Sequence, residues 1–93
     1  MKIFLTKTAQ DELDEIKIEK PKDYGNIIFD IKNLQKEPFP RPPKGKKIRG
    51  KNGAFWRLRN GVYRTIYRQL NKDSLIILRV ILRKYLERIL KQF

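Results

Sequence analysis

The sequence predicts an α+β fold: an N-terminal strand, an antiparallel helical hairpin, an antiparallel β-sheet of about four strands with a basic face, and a short C-terminal helix. Three observations carry this. Apolar residues in the first third recur at helical spacing, the last half is built of aromatic and β-branched runs broken by turn dipeptides, and a cluster of prolines separates the two. At 93 residues, with 40% apolar and 35% charged side chains, the chain has the material for one modest core, and residues 1–93 are read as a single domain.

Residues 2–6 cluster apolar side chains over the length of a strand, and Thr8 with Asp11 three residues later reads as a capping box that opens a helix. Leu13 and Ile16 give that helix a thin apolar stripe among acids, and Pro21 ends it or opens the next. The second helix is clearer: Tyr24, Ile27, Ile28, Ile31 and Leu34 fall on one face of a 3.6-residue period. Pro38, Pro40, Pro42 and Pro43 then forbid regular structure, and Lys44, Lys46 and Lys47 surround Gly45 in a solvated turn. Beyond Gly50 and Gly53, residues 54–59, 62–70 and 75–83 read as consecutive antiparallel strands joined by Asn60-Gly61 and by residues 71–74. Leu86, Ile89, Leu90 and Phe93 return to helical spacing in the last ten residues.

Composition removes much chemistry. With no Cys and no His there is no thiolate, no imidazole base and no ligand set for zinc or haem, so no metal and no cofactor is expected. Any acid or base must be Asp, Glu, Lys or Tyr. The apolar run at the N-terminus is too short for a signal peptide and no stretch is long enough to cross a membrane, so a cytoplasmic protein is expected.

The net charge of +13 is unevenly placed. Residues 1–37 carry seven lysines against eight acids, whereas residues 38–93 carry sixteen basic side chains against only Asp73 and Glu87. A polyanion is the expected partner. Nucleic acid is favoured over a membrane surface, which would call for an amphipathic helix with an exposed apolar face.

Side chains alternate faces along a strand, so the basic residues can be sorted. Phe55, Arg57 and Arg59 oppose Trp56 and Leu58; Arg64 and Arg68 oppose Tyr63, Thr65 and Tyr67; Arg79 and Arg83 oppose Leu78, Val80 and Leu82. If the apolar sides pack on the helical hairpin, the arginines gather on one open surface, where like charges repel unless a polyanion covers them. Trp56 is read as core, and Phe55, on the arginine side, as the candidate for stacking on a base. The run Lys44, Lys46, Lys47, Arg49 and Lys51 is either a phosphate-contacting loop or a solvated one, and Lys84 and Tyr85 extend the set of RNA-contact candidates.

This order of elements is similar to that of the RelE/ParE superfamily of bacterial and archaeal toxins. Residues 47–50, Lys-Ile-Arg-Gly, resemble that family's "lysine, apolar, basic, glycine" strand, and residues 55–67, Phe-Trp-Arg-Leu-Arg-Asn-Gly-Val-Tyr-Arg-Thr-Ile-Tyr, resemble its arginine-rich hairpin. Residues 79–84 resemble the strand leading to its "histidine-arginine-lysine" segment. The resemblance implies a toxin that enters the ribosomal A site and cleaves mRNA, silenced by an acidic cognate antitoxin with which it forms a hetero-oligomer. It further implies that Arg64 and Arg83 stabilise the transition-state phosphate and that Arg57 supports them.

Two positions depart from the pattern. Leu82 stands where many relatives have histidine, and Glu87 where they have the tyrosine that orients the base; Tyr85 lies two residues earlier. Attack of a ribose 2′-hydroxyl on its own phosphate needs a base, a donor to the leaving oxygen and positive charge on the developing dianion. Arginines supply only the charge. The base is left to Glu87 or to one of Lys44, Lys46, Lys47 and Lys51, undistinguished by sequence. Two other readings stay open: a ParE-like poison of DNA gyrase, and a basic RNA-binding module without catalysis.

Overall fold

The computed structural model describes residues 1–50 and 53–93, and the side chains of all of these except Arg49 and Gly50. The order of elements is β1 (Lys2–Leu5), α1 (Lys7–Glu19), α2 (Pro21–Asn33), β2 (Gly45–Gly50), β3 (Gly53–Asn60), β4 (Tyr63–Asn71), β5 (Ser74–Leu82), a 3-10 turn (Arg83–Tyr85) and α3 (Leu86–Leu90). The strands form one five-stranded sheet in the order β1-β5-β4-β3-β2. The α+β class is as expected, with two differences. β1 joins the sheet parallel to β5, and the stretch around Gly45, expected as a solvated turn, is an edge strand antiparallel to β3.

The helix starts two residues before the expected cap. Thr6, not Thr8, is the N-cap: its Oγ1 accepts from the Ala9 amide at 3.1 Å, and its hydroxyl donates to the Leu78 carbonyl at 2.9 Å. Thr6 therefore closes α1 and fastens it to the sheet. Pro21 takes the first position of α2, where its missing N–H is not needed, so the two helices turn back on each other across Lys20 alone.

The helical hairpin covers one face of the sheet. Ala9, Leu13 and Ile16 of α1 and Ile27, Ile31 and Leu34 of α2 pack on Leu58, Tyr67, Leu75, Ile77 and Val80, with Trp56 and Phe39 at the margin, ring centroids 4.6 Å apart. Trp56 is thus a packing residue, as read. Gly45 is buried where the chain passes under Pro40, so closely that a Cβ would lie 2.3 Å from the Pro40 carbonyl oxygen. That approach allows only glycine to open β2.

The opposite face holds a second, smaller core. Phe55, Ile66 and Ile81 are buried there beneath Ile89, with Ile48, Leu78, Leu86, Leu90 and Phe93 around them. The C-terminal residues fold back over this face and cover Phe55, Ile66 and Ile81, on the side expected to be open. Between Ile66 and Tyr67 the β4–β5 register shifts, because Ile66 pairs with Arg79 but Tyr67 with Ile77. Leu78 is the extra residue, a β-bulge that lets Leu78 join the second core and Val80 the first.

Candidate nucleic-acid interface

The β3–β4 hairpin turns through Gly61 and Val62. Gly61 has φ +55° at the first central position, which a two-residue hairpin turn requires and which glycine adopts without strain. Directly beyond the turn, Arg59 and Arg64 are cross-strand partners, and Arg57 lies two residues back on the same face. The guanidinium of Arg64 folds onto the turn, where Nη1 donates to the Gly61 carbonyl at 2.7 Å and to the Tyr63 carbonyl at 2.8 Å. Its residue is only 6% exposed, an unusual state for arginine. Arg83 begins the 3-10 turn at the end of β5, and its amide donates to the Val62 carbonyl at 2.7 Å. The same two-residue turn therefore holds both Arg64 and Arg83.

Burial, and then the charges of Arg57, Arg59 and Arg83, pull the Arg64 guanidinium below the ordinary arginine range. Arg57 is lowered likewise by burial and then by Arg59, while its Nη1 donates to the Pro43 carbonyl at 3.3 Å. All remain cations near neutrality. Four guanidinium groups thus share one corner of the sheet without a neutralising carboxylate among the described residues, and an anion placed there gains both Coulombic energy and bidentate hydrogen bonds.

The remaining candidates separate. Lys46 pairs with Arg57 across β2–β3 and shares its face, exposed. Lys47 pairs with Trp56 and so lies on the helical side, away from the arginines, because strand parity puts neighbours on opposite faces. Lys44 is committed to an ion pair with Asp30 at 2.7 Å. Lys51 and the side chain of Arg49 lie outside the described residues. Arg68 is exposed on the arginine face toward the far end of β4.

Two candidates are corrected outright. Phe55 is 4% exposed and packs against Phe93, ring centroids 5.3 Å apart, so it offers no face to a base. Arg79 is turned by the bulge toward α1, where Nε and Nη2 grip the Glu12 carboxylate at 2.9–3.2 Å. Glu12 also accepts from the Val80 amide at 2.9 Å, replacing the pairing that β5 loses where β1 ends.

Glu87 stands exposed in the first turn of α3, with no ion pair among the described residues. Tyr85 lines a groove against Glu15, Glu19 and Arg88, and the Lys84 and Arg88 cations lie 5.2 and 5.6 Å from its ring centroid. That groove is walled by α1 rather than by the arginine corner. No group of metal-ligating side chains is present among the described residues, and no helix there is long and apolar enough to cross a membrane.

Sequence reasoning missed Glu12 and Asp30, which lie beside the apolar stripes of their helices. The available signal was that each borders a buried position, Leu13 or Ile31, in a chain whose other half is almost purely basic.

No family model and no curated protein matches the chain. Solved structures do. A YoeB/ParE toxin from Agrobacterium tumefaciens superposes with a TM-score of 0.77 at 20% identity, covering 88% of this chain and 98% of that one. The RelBE2 toxin-antitoxin complex of Mycobacterium tuberculosis gives 0.69 at 26% identity, covering 88% and 96%. A heterotetrameric YoeB-YefM toxin-antitoxin complex from Staphylococcus aureus gives 0.70 at 15% identity, covering 85% and 92%.

Proposed function

From a chain that has the fold of the RelE/ParE toxin superfamily, we propose that it is the toxin of a type II toxin-antitoxin module, a ribosome-dependent endonuclease that cleaves mRNA and stops translation in the cytoplasm. One observation carries the reading: Arg64, pinned by two carbonyls amid Arg57, Arg59 and Arg83, forms a preorganised cationic corner. Such a corner suits a phosphate that gains negative charge in the transition state, because the donors are already in place and the repulsion among them is relieved as the dianion develops.

In this reading Arg64 and Arg83 clamp the non-bridging oxygens and Arg57 adds charge, while Lys46, Arg59, Arg68 and Lys84 track the backbone. The ribosome holds the mRNA so that the 2′-hydroxyl, phosphorus and leaving oxygen are in line. Positioning of that kind supplies about 7–11 kcal/mol in favourable cases, enough to make a site that is poor in proton carriers useful. Glu87 and the lysines are the side chains open to proton transfer. The partner in the resting cell is an acidic antitoxin segment that lays carboxylates against the arginines, in keeping with the complexes among the structural neighbours.

The test is induced expression with growth and mRNA followed together. Growth arrest with cuts in translated messages is expected, lost in both Arg64→Ala and Arg83→Ala. Arrest that survives both substitutions would end this assignment. Leu82 and Glu87, which stand where many relatives have histidine and tyrosine, favour one other reading, a ParE-like poison of DNA gyrase. Inhibition of supercoiling by purified gyrase, with messages left intact, would select it.

A further inference from the structure

We infer that Asp30 of α2 is a positioning residue for the arginine corner, acting through the β3–β4 turn; this rests on the reading that Arg64 and Arg83 meet the phosphate. The connection is continuous. Asp30 Oδ2 accepts from Asn60 Nδ2, and also from Lys44 Nζ at 2.7 Å. Lys44 Nζ donates in turn to the Arg59 carbonyl at 3.1 Å, and the Arg59 amide donates to the Lys44 carbonyl at 2.8 Å. Asn60 is the last residue of β3, and the next two carbonyls, of Gly61 and Val62, receive the Arg64 guanidinium and the Arg83 amide. A single carboxylate on the helical layer thus fixes the strand end from which both arginines are hung.

The physical need is plain. A two-residue hairpin turn at the end of two strands needs support from outside it, and the four cations crowded beside it repel one another. The Asp30 side chain is 17% exposed while Lys44 is about half exposed, so of the two bonds that straddle the turn the one to the Asn60 amide is the better shielded from water. Neither Asp30 nor Asn60 belongs to the arginine corner. Both act on the angle at which it is presented, and a displacement near 1 Å in such a site costs about a hundredfold in rate.

The experiment uses the purified full chain as wild type, Asp30→Ala, Asn60→Ala and Asp30→Asn, the last keeping a neutral acceptor for Asn60. Rotation of the Arg64 guanidinium is followed by NMR of its side-chain nitrogens, a readout independent of cleavage. It is expected to be slow in the wild type, at least tenfold faster in Asp30→Ala and Asn60→Ala, and largely restored in Asp30→Asn. Single-turnover cleavage on mRNA-programmed ribosomes is expected to fall tenfold or more in the two alanine variants, and by a clearly smaller factor when either is added to Arg64→Ala, where only the path through Arg83 is left.

Unchanged Arg64 rotation in both alanine variants overturns the role of Asp30, whatever happens to cleavage. Fully additive losses with Arg64→Ala reduce Asp30 to a stability residue and overturn it too. If Arg64→Ala itself cleaves normally, the functional reading fails instead, and the NMR result alone decides whether Asp30 sets the turn. Should Asp30→Ala not fold, Asn60→Ala removes the Asn60–Asp30 contact while leaving the Lys44 pair in place, and carries both measurements.

Discussion

Phe55 discriminates between a stacking platform and a core residue, the two roles an aromatic on an arginine-bearing strand can take. The residue is 4% exposed, packed among Ile66, Ile81, Ile89 and Phe93. Removing a buried aromatic ring costs about 3–5 kcal/mol through lost transfer energy and the cavity left behind. In a protein of this size each kcal/mol moves the melting temperature by about 4–8 °C, so Phe55→Ala is expected to melt well over 10 °C lower or not to fold. Phe55→Leu keeps most of the volume and removes the ring, for about 1–1.5 kcal/mol. It is the useful variant. Thermal unfolding by circular dichroism and RNA binding at fixed salt are measured on the same sample. A melt several degrees lower with RNA affinity unchanged is expected. An unchanged melt with affinity reduced about tenfold, the loss typical of a stacked base, would refute the core assignment.

Other perturbations probe the scaffold. Glu12→Ala removes the grip on Arg79 and leaves the Val80 amide unpaired, an expected loss of about 2 kcal/mol at the denaturation midpoint and faster amide exchange at Val80. Tyr67 is fully buried and its hydroxyl donates to the Pro38 carbonyl at 2.8 Å, so Tyr67→Phe is expected to cost about 1 kcal/mol at pH 8. Burial raises the Tyr67 pKa, so the folded state keeps a proton that the unfolded chain gives up near pH 10; this contribution is full below that pH and is lost as pH rises beyond it. The gap between wild type and Tyr67→Phe should therefore narrow between pH 8 and pH 11 in urea unfolding, and a gap that widens would contradict the sign.

Much of the architecture was legible because periodicity reports burial directly. The stripe Ile27, Ile31 and Leu34 is buried as its spacing requires, and the Asn60-Gly61 signal marks a turn that is there. Parity arguments failed where a strand stopped being regular. Leu78 is a bulge residue: it turned to the second core and Arg79 went to Glu12 instead of to the open face, while Val80 kept the helical side that parity assigned it. Phe55 was misread for a different reason: a short helix of five residues with a thin stripe gives no sign of which face it will cover, and here it covers the arginine side. The corner of Arg57, Arg59, Arg64 and Arg83 was visible as a set of charges, but the way Gly61 and Val62 hold two of them depends on backbone carbonyls, which leave no mark in a sequence.

The measurement that bears most directly on the proposed activity is primer extension on a defined mRNA in a translating extract, with wild type and Arg64→Ala added in parallel. Discrete cuts are expected at the codon held in the ribosomal A site with the wild type, absent when ribosomes are withheld and reduced at least a hundredfold by Arg64→Ala, as for the loss of an electrostatic donor to a transition state. Uncut message under the wild type, or cuts of equal strength under Arg64→Ala, would contradict it.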